Sequence, residues 1–448
     1  SFSMAAAADE MHPENAFETE VHGNSLKDAN RKERFLKSAI LYGANASGKT
    51  NLVRVFSFMR HFVTRSAAGS GLAPEEPTGV EPFRLSSARR SEPSEFEVEL
   101  LLDGVVYIYG FSADERRVRE EWLYEYPTGK KRKVFHRLAD RTPSVAFGSG
   151  SGLSRASRTA LTELTPANTL FLPQVAKAND ASDACRNVYE WFSKKLRIIY
   201  SGTVTERSGG MTPALSQSVA LFSDEAFQKD VLGFLQDVDS DICNLKYNKK
   251  TKSIPENEKK LIRALMEFVA QKEGHDDNDA RNPNQIPSEQ DVDELVTFHS
   301  SKDGSDPVPF ELFEESLGTR QAMGLYGVVR DALQKDALLV IDEVESSLHP
   351  LLLQHLFRTY HALHGGACRA QIVCTTHSIE PLRKKLFRRD QIWFVEKKRG
   401  ASELYSLRDF TPTPRENSPW DAWYLDGRFG GVPMIDAPFS CNEAEPES

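Results

Sequence analysis

The stretch from Gly43 to Thr50 reads GANASGKT and fits the spacing G-x-x-x-x-G-K-[ST] in full. Glycines in such a stretch let the backbone curl until its N–H groups converge on phosphate oxygens. The lysine then reaches the β and γ phosphates, and the hydroxyl ligates Mg2+. Gly43, Asn45, Ala46, Ser47, Gly48, Lys49, Thr50 and Asn51 are therefore the candidate nucleotide contacts, Lys49 also being a candidate catalytic group and Thr50 a metal ligand. A second stretch, DALLVIDEVESSLHP, runs from Asp336 to Pro350. Its apolar run Ala337 to Ile341 predicts a strand covered on both faces, and Asp342 stands at the carboxyl end, where open α/β sheets place ligands. Asp342 is the candidate Mg2+ holder, through water, and Glu343 the candidate general base toward an attacking water. A third apolar run, AQIVCTT, ends at His377, an imidazole placed to hydrogen-bond a γ-phosphate and detect its loss. In FEESLGTRQAMGLYGVV, Ser316, Gly318 and Thr319 lie where a helix should begin, which makes a second anion site.

These residues need elements to hold them. FLKSAILY, Phe35 to Tyr42, predicts a buried strand leading into the glycine-rich stretch. TNLVRVFSFMRHFV follows with Leu52, Val55, Phe56, Met59 and Phe62 at helical spacing. Strand, glycine loop, helix is the context a phosphate loop requires. Residues 66–95 are rich in Ser, Gly, Pro and Glu and predict a surface loop. FEVELLL and VVYIYGF flank Asp103-Gly104, a strong hairpin signal. REEWLYEYPTGKKRKVFHR predicts a second hairpin turning at Pro127 to Gly129, so an antiparallel layer follows the first helix. Residues 140–165 are expected to be irregular, and NTLFLPQVAKAND to hold a short strand ending near Gln174. From Asn187 to about Lys272 the pattern is mostly helical, as in DEAFQKDVLGFLQDV and NEKKLIRALMEFVAQK; residues 273–291 predict a mobile loop.

The chain of 448 residues predicts two or three cores, or one core with large insertions. No apolar run approaches the roughly 20 residues that span a bilayer, and the N-terminus lacks the pattern of a secretory signal. Five scattered cysteines form no CxxC pair, so neither a zinc knuckle nor a disulfide framework is indicated, and a reducing cytoplasm is the expected location. A net charge of -9 excludes a chain that coats nucleic acid with its whole surface. Basic runs occur at Gly129–Lys133 and Arg383–Arg389; such runs are usually solvated faces, and otherwise contact a phosphate backbone or an acidic partner. The acidic cluster DVDSD, Asp237 to Asp241, reads as the solvated end of a helix, and HDDNDARN lacks the glycine and terminal Glu of a calcium loop. No D-x-D pair follows His377, so no nuclease is expected in this chain.

Taken together, LYGANASGKTNL, ESLGTRQ, VIDEVESSLHPLLL, TTH and RRDQIWFVEK resemble ATP-binding-cassette ATPases of the soluble RecF/SMC-like branch. More narrowly they resemble the stand-alone AAA-15-type bacterial ATPases linked to phage defence and abortive infection. The resemblance implies an α/β P-loop NTPase fold of ABC-ATPase type, with a mostly parallel core sheet, an antiparallel β subdomain and a helical insertion. It divides the chain into core with the phosphate loop (1–66), β subdomain (67–165), glutamine-loop region and helical insertion (166–295) and the remaining core (296–448). It implies an ATPase using ATP and Mg2+, in which two copies sandwich two nucleotides as a homodimer or higher homo-oligomer. Lys49, Thr50, Asp342, Glu343 and His377 would act in cis, while Ser316 and Gly318 would touch the γ-phosphate held by the opposite copy. Ser346 and Ser347 match the segment that crosses the seam, and Gln174 is the candidate glutamine that senses Mg2+ and water. The family opens with a strand and an N-F-R-S-F turn, so that strand is expected to be missing or to lie upstream of Ser1. The expected role is a switch controlling a separate effector in anti-phage defence; the alternative is a DNA-repair or chromosome-maintenance ATPase that contacts DNA directly.

Overall fold

The computed structural model describes residues 1–8, 11–25, 28–66, 76–86, 90, 92–142, 144–200, 211–253, 256, 259–260, 264 and 289–432. In chain order the strands are β1 (Ala16–Ser25), β2 (Asp28–Leu36), β3 (Ser38–Gly43), β4 (Ser94–Leu102), β5 (Val105–Ala113), β6 (Val118–Tyr126), β7 (Arg132–Leu138) and β8 (Val145–Phe147). They continue with β9 (Leu196–Ile199), β10 (Ile242–Ser253), β11 (Glu289–His299), β12 (Val308–Glu311), β13 (Leu338–Ile341), β14 (Gln371–Thr375), β15 (Ile392–Lys398) and β16 (Ala401–Ser406). The helices used below are α1 (Lys49–Ser66), α2 (Arg155–Leu164), α3 (Leu172–Ala176), α4 (Asp183–Glu190), α5 (Pro213–Ser218), α6 (Glu225–Val238), α7 (Leu317–Lys335), α8 (Pro350–Leu363), α9 (Glu380–Arg383) and α10 (Trp420–Leu425). Two compact units result, one of Ser1–Ser201 with Val329–Ser448 and one of Gly202–Val328.

The first unit is built on a six-stranded sheet of order β16-β15-β3-β14-β13-β9. Every pairing is parallel except β15 with β16. Every residue of β3 is buried, as in a strand covered on both faces. β14 lies between β3 and β13, with Cys374 opposite Ile40 and Val373 opposite Val340. Three neighbouring strands therefore deliver Gly43, Thr375 and Ile341 to the same edge of the sheet. Ahead of β3, β1 pairs with β2 as an antiparallel ribbon, and Ala5 bridges Phe35.

A second sheet of this unit, β4 to β8 in sequence order, is an antiparallel meander. Asp103 (φ 49°) and Gly104 (φ 79°) both adopt the left-handed conformation that a two-residue hairpin turn demands, as their Asp-Gly sequence predicts. One continuous core joins the two sheets. From α1 it takes Val53, Met59, Phe62 and Val63, from the meander Tyr109, Phe111 and Phe135, and from the parallel sheet Leu41, Val340 and Val373. Phe62 meets Phe111 edge-on at 5.5 Å between ring centres. Of the expected apolar face of α1, Met59 and Phe62 are buried and Leu52 and Phe56 half-buried, whereas Val55 is 37% exposed and Val53 takes the inward position. Glu121 on β6 is wholly buried; its carboxylate accepts from the Phe171 and Leu172 N–H groups at 2.5 and 2.9 Å and from Tyr109 Oη at 3.0 Å. It fastens the start of α3 to the meander.

The second unit contains α5, α6, the sheet β10-β11-β12 and the beginning of α7. Its core gathers Phe227, Val231, Phe234, Leu235, Leu245, Leu295 and Met323. Phe234 stacks on Tyr326 at 4.4 Å, and Tyr326 Oη donates to Asp230 at 3.0 Å. A Cβ at Gly324 would fall 2.5 Å from the Leu215 nitrogen, so α7 and α5 approach too closely there for a side chain.

Three sequence expectations are corrected. Residues 140–165 are not all irregular: they include β8 and α2, whose N-cap Ser154 accepts from the Ser157 N–H. The short strand ending near Gln174 is instead α3; Pro173 in its first turn suits a helix start and lacks the N–H a strand ladder needs. The helical stretch from Asn187 is interrupted by β9, a four-residue edge strand too short to show alternation. It is interrupted again by β10, twelve residues whose lysines hide their strand pattern. Of the expected 66–95 surface loop, 67–75, 87–89 and 91 lie outside the described residues, as do most of the NEKKLIRALMEFVAQK helix and 273–288 of the expected 273–291 loop, whose last three residues instead open β11. DVDSD does span the end of α6, with Asp239 as its C-cap.

Candidate functional site

β3 ends at Gly43, and the chain turns through Asn45 and Ala46 before α1 starts at Lys49. Gly43 has no room for a side chain: a Cβ would lie 2.6 Å from both Ser47 Oγ and the Val395 carbonyl. Gly48 has φ 108° and Ala46 φ 60°, so the loop folds back on itself. Ser402 on β16 donates to the Ser47 carbonyl at 2.7 Å and braces the loop from outside. Lys49 is buried and donates to the Gly43 and Ala44 carbonyls at 2.6 and 3.1 Å. Burial pulls its pKa down, while Glu345, Glu343 and Asp342 work in the opposite direction. Curled backbone, helix start and ammonium together form an anion cradle.

Asp342 follows β13 directly and is buried. Its Oδ1 accepts from Thr375 Oγ1 at 2.6 Å and from Thr50 Oγ1 at 3.4 Å. A carboxylate and a hydroxyl thus meet at one point beside Lys49, an oxygen donor pair of the kind Mg2+ takes; by this criterion the residues fit that ion. Glu343 is exposed and adopts a left-handed φ of 47°. Its N–H donates to Thr375 Oγ1 at 2.8 Å, and the Val344 N–H to the Thr375 carbonyl at 3.1 Å. Beyond Thr375, Thr376 Oγ1 and the His377 N–H donate to the two oxygens of Glu345 at 2.7 and 2.6 Å. His377 is exposed. Ser346 and exposed Ser347, the latter at φ 62°, complete the turn into α8, whose N-cap is His349.

Lys49, Thr50, Asp342, Glu343 and the His377 backbone thus come together. Ser316 and Gly318 belong to the second unit. Ser316 is exposed and accepts from the Thr319 N–H at 3.0 Å at the start of α7. The loop before it is anchored by buried Glu315, which accepts from His299 Nε2 at 2.7 Å and from the Thr297 hydroxyl. Gln174 does not join the group. Its amide donates at 2.6 Å to the carbonyl of Ser66, the last residue of α1. Eighteen helical residues, roughly 25 Å, separate that end of α1 from Lys49, so Gln174 is withdrawn from the metal-sensing role. The sequence reading missed Thr375, Glu345 and Ser402. Thr375 and Glu345 stood inside quoted motifs, TTH and DEVES, while Ser402 carried no signal.

This is the geometry of a P-loop ATPase site. A family described as "AAA domain, putative AbiEii toxin, Type IV TA system" matches residues 38–161 and 235–382, and the chain belongs to it. No curated protein matches the chain. Among solved structures it is similar to one described as "Crystal structure of the SmcHead bound to the C-winged helix domain of ScpA". The identity is 14%, over 88% of this chain and 97% of that one, with a TM-score of 0.30. It is also similar to the SMC head domain from Thermotoga maritima, at 10% identity over 87% and 97% of the two chains and a TM-score of 0.34. No described helix is long and apolar enough to cross a membrane.

Proposed function

We propose that this protein is an ATP-hydrolysing switch whose two nucleotide sites are completed when two copies close around ATP, and that it controls a separate effector in defence against phage. The observation that carries the ATPase reading is the meeting of Lys49, Thr50, Asp342 and Glu343 at the ends of neighbouring strands. The loop N–H groups and Lys49 would hold the phosphates. Glu343 would accept a proton from the water that attacks the γ-phosphorus as the bond to the ADP oxygen breaks. Mg2+, held by Thr50 and Asp342, would neutralise charge on the phosphates. His377 would hydrogen-bond the γ-phosphate, and exposed Ser316 with Gly318 would reach the nucleotide of a second copy. Contacts to a γ-phosphate exist only before hydrolysis, which makes the closed state a timer.

The effector role rests on the family description, which names a toxin and a toxin–antitoxin system. The alternative, direct DNA binding, has less support: Arg388, in the Arg383–Arg389 run, is fully buried in an ion pair with Asp390. The test is the mass of the purified protein with and without ATP, for wild type and Glu343→Gln. ATP-dependent assemblies that persist in Glu343→Gln are the expected result. An oligomeric state indifferent to ATP in both proteins would sink the switch.

A further inference from the structure

We infer that Glu345 is a positioning residue that locks the turn carrying His377 to the loop carrying Glu343, so that γ-phosphate detection and base placement move as one body. This inference rests on the ATPase reading above for its catalytic meaning. The two loops follow neighbouring strands, β13 and β14, and meet in a ladder of hydrogen bonds. Asp342, Glu343 and Val344 all bond to Thr375, the last residue of β14. Those contacts stop at the strand end. Glu345 reaches further: one oxygen accepts from Thr376 Oγ1 at 2.7 Å and the other from the His377 N–H at 2.6 Å.

Both oxygens of one carboxylate are thereby spent on two successive residues, and the last of these bears the imidazole. Short bonds to an ionised acceptor are the strong kind. Glu345 is also half-buried beside the phosphate cradle, where, of the neighbouring carboxylates, it most strongly offsets the lowering of the Lys49 pKa by burial. One of its anchors, Thr376, is itself fully buried. Two residues before it, Glu343 sits in a left-handed conformation that few side chains adopt and that its surroundings must impose. With Glu345 in place, His377 cannot shift without pulling on the backbone that holds Glu343.

Two conservative variants separate reach from charge. Glu345→Gln keeps the reach: its carbonyl can accept from His377 and its amide can donate to the Thr376 hydroxyl. Glu345→Asp keeps the charge but is one methylene short. We expect Glu345→Asp to lose about 10²-fold in kcat, the size of effect a small misplacement produces. Its ATP affinity should stay within about threefold of wild type, since uniform binding is not touched. Glu345→Gln should retain most of kcat. The His377 amide should exchange with solvent about tenfold faster or more in Glu345→Asp and at the wild-type rate in Glu345→Gln. Equal loss of kcat in both variants, with unchanged His377 exchange, would show that the charge matters and would overturn the proposal; so would wild-type turnover in Glu345→Asp. If wild type itself fails to hydrolyse ATP, the ATPase reading falls, while the exchange comparison still decides whether Glu345 holds the His377 turn.

Discussion

Thr375 Oγ1 donates to Asp342 Oδ1 at 2.6 Å and accepts the Glu343 N–H at 2.8 Å. A hydroxyl has one proton and two lone pairs, so a single side chain can fix both the Asp342 carboxylate and the Glu343 backbone. Valine has the same shape and neither function. Thr375→Val should therefore cost about 1–3 kcal/mol of stability, because a buried carboxylate and an N–H each lose a hydrogen bond. It should lower kcat by about 10-fold or more, while Thr375→Ser stays near wild type. Steady-state kinetics and thermal melts of the three proteins check this. Thr375 was hidden in the sequence because nothing in AQIVCTT says which threonine faces the Asp342 strand. That depends on β14 lying between β3 and β13.

At the scale of elements, the segment RKKLFRR shows how a charge run can mislead. Its pattern suggests a solvated face, and Lys384 is indeed exposed. Phe387 and Arg388 are fully buried. The Arg388 guanidinium pairs with both oxygens of Asp390 at 2.9 Å and donates to the carbonyls of Ala7 and Met11 at 2.9 and 3.1 Å. It ties the N-terminal segment to the start of β15. Removing one member of a buried ion pair leaves the other uncompensated, so Arg388→Ala should destabilise by about 3–5 kcal/mol. Lys384→Ala should stay within about 0.5 kcal/mol of wild type. Denaturant titration of the two variants decides it; similar stabilities would remove Arg388 as an anchor.

At the scale of the whole molecule, acid sensitivity is built into the end of β3 away from the phosphate loop. His361 on α8 is packed against Ser38, with Nε2 and Oγ 2.8 Å apart. Burial first, then the Lys37 charge and His364, push its pKa down to about 3. An unfolded histidine titrates near 6.5. Above that pH both states are neutral and His361 adds no pH dependence. As pH falls below it the unfolded chain takes up a proton that the folded one refuses. Stability is lost by up to about 1.4 kcal/mol per pH unit until the folded group titrates. Melting temperatures between pH 7 and 5 should fall more steeply in wild type than in His361→Gln. Parallel slopes would mean that another group governs the acid limb. Five steps of strand, roughly 17 Å, separate Ser38 from Gly43, so this effect should leave the nucleotide chemistry untouched.

The local chemistry was legible in the sequence because it is local. A phosphate loop needs its glycines, lysine and hydroxyl within eight residues, and a buried strand announces itself by an unbroken apolar run, so β3, α1, β13, β14 and the Asp-Gly hairpin were all visible. Tertiary structure alone decided the strand order, and with it that Thr375 stands between Asp342 and Glu343 and that Glu345 reaches the His377 turn. It also decided that Gln174 lies at the far end of α1, that Arg388 is an internal anchor, and that β9 is a strand at all. The physical reason is shared: a side chain's partner across neighbouring strands is set by packing between segments far apart in sequence, and no local period or propensity records which segments those are.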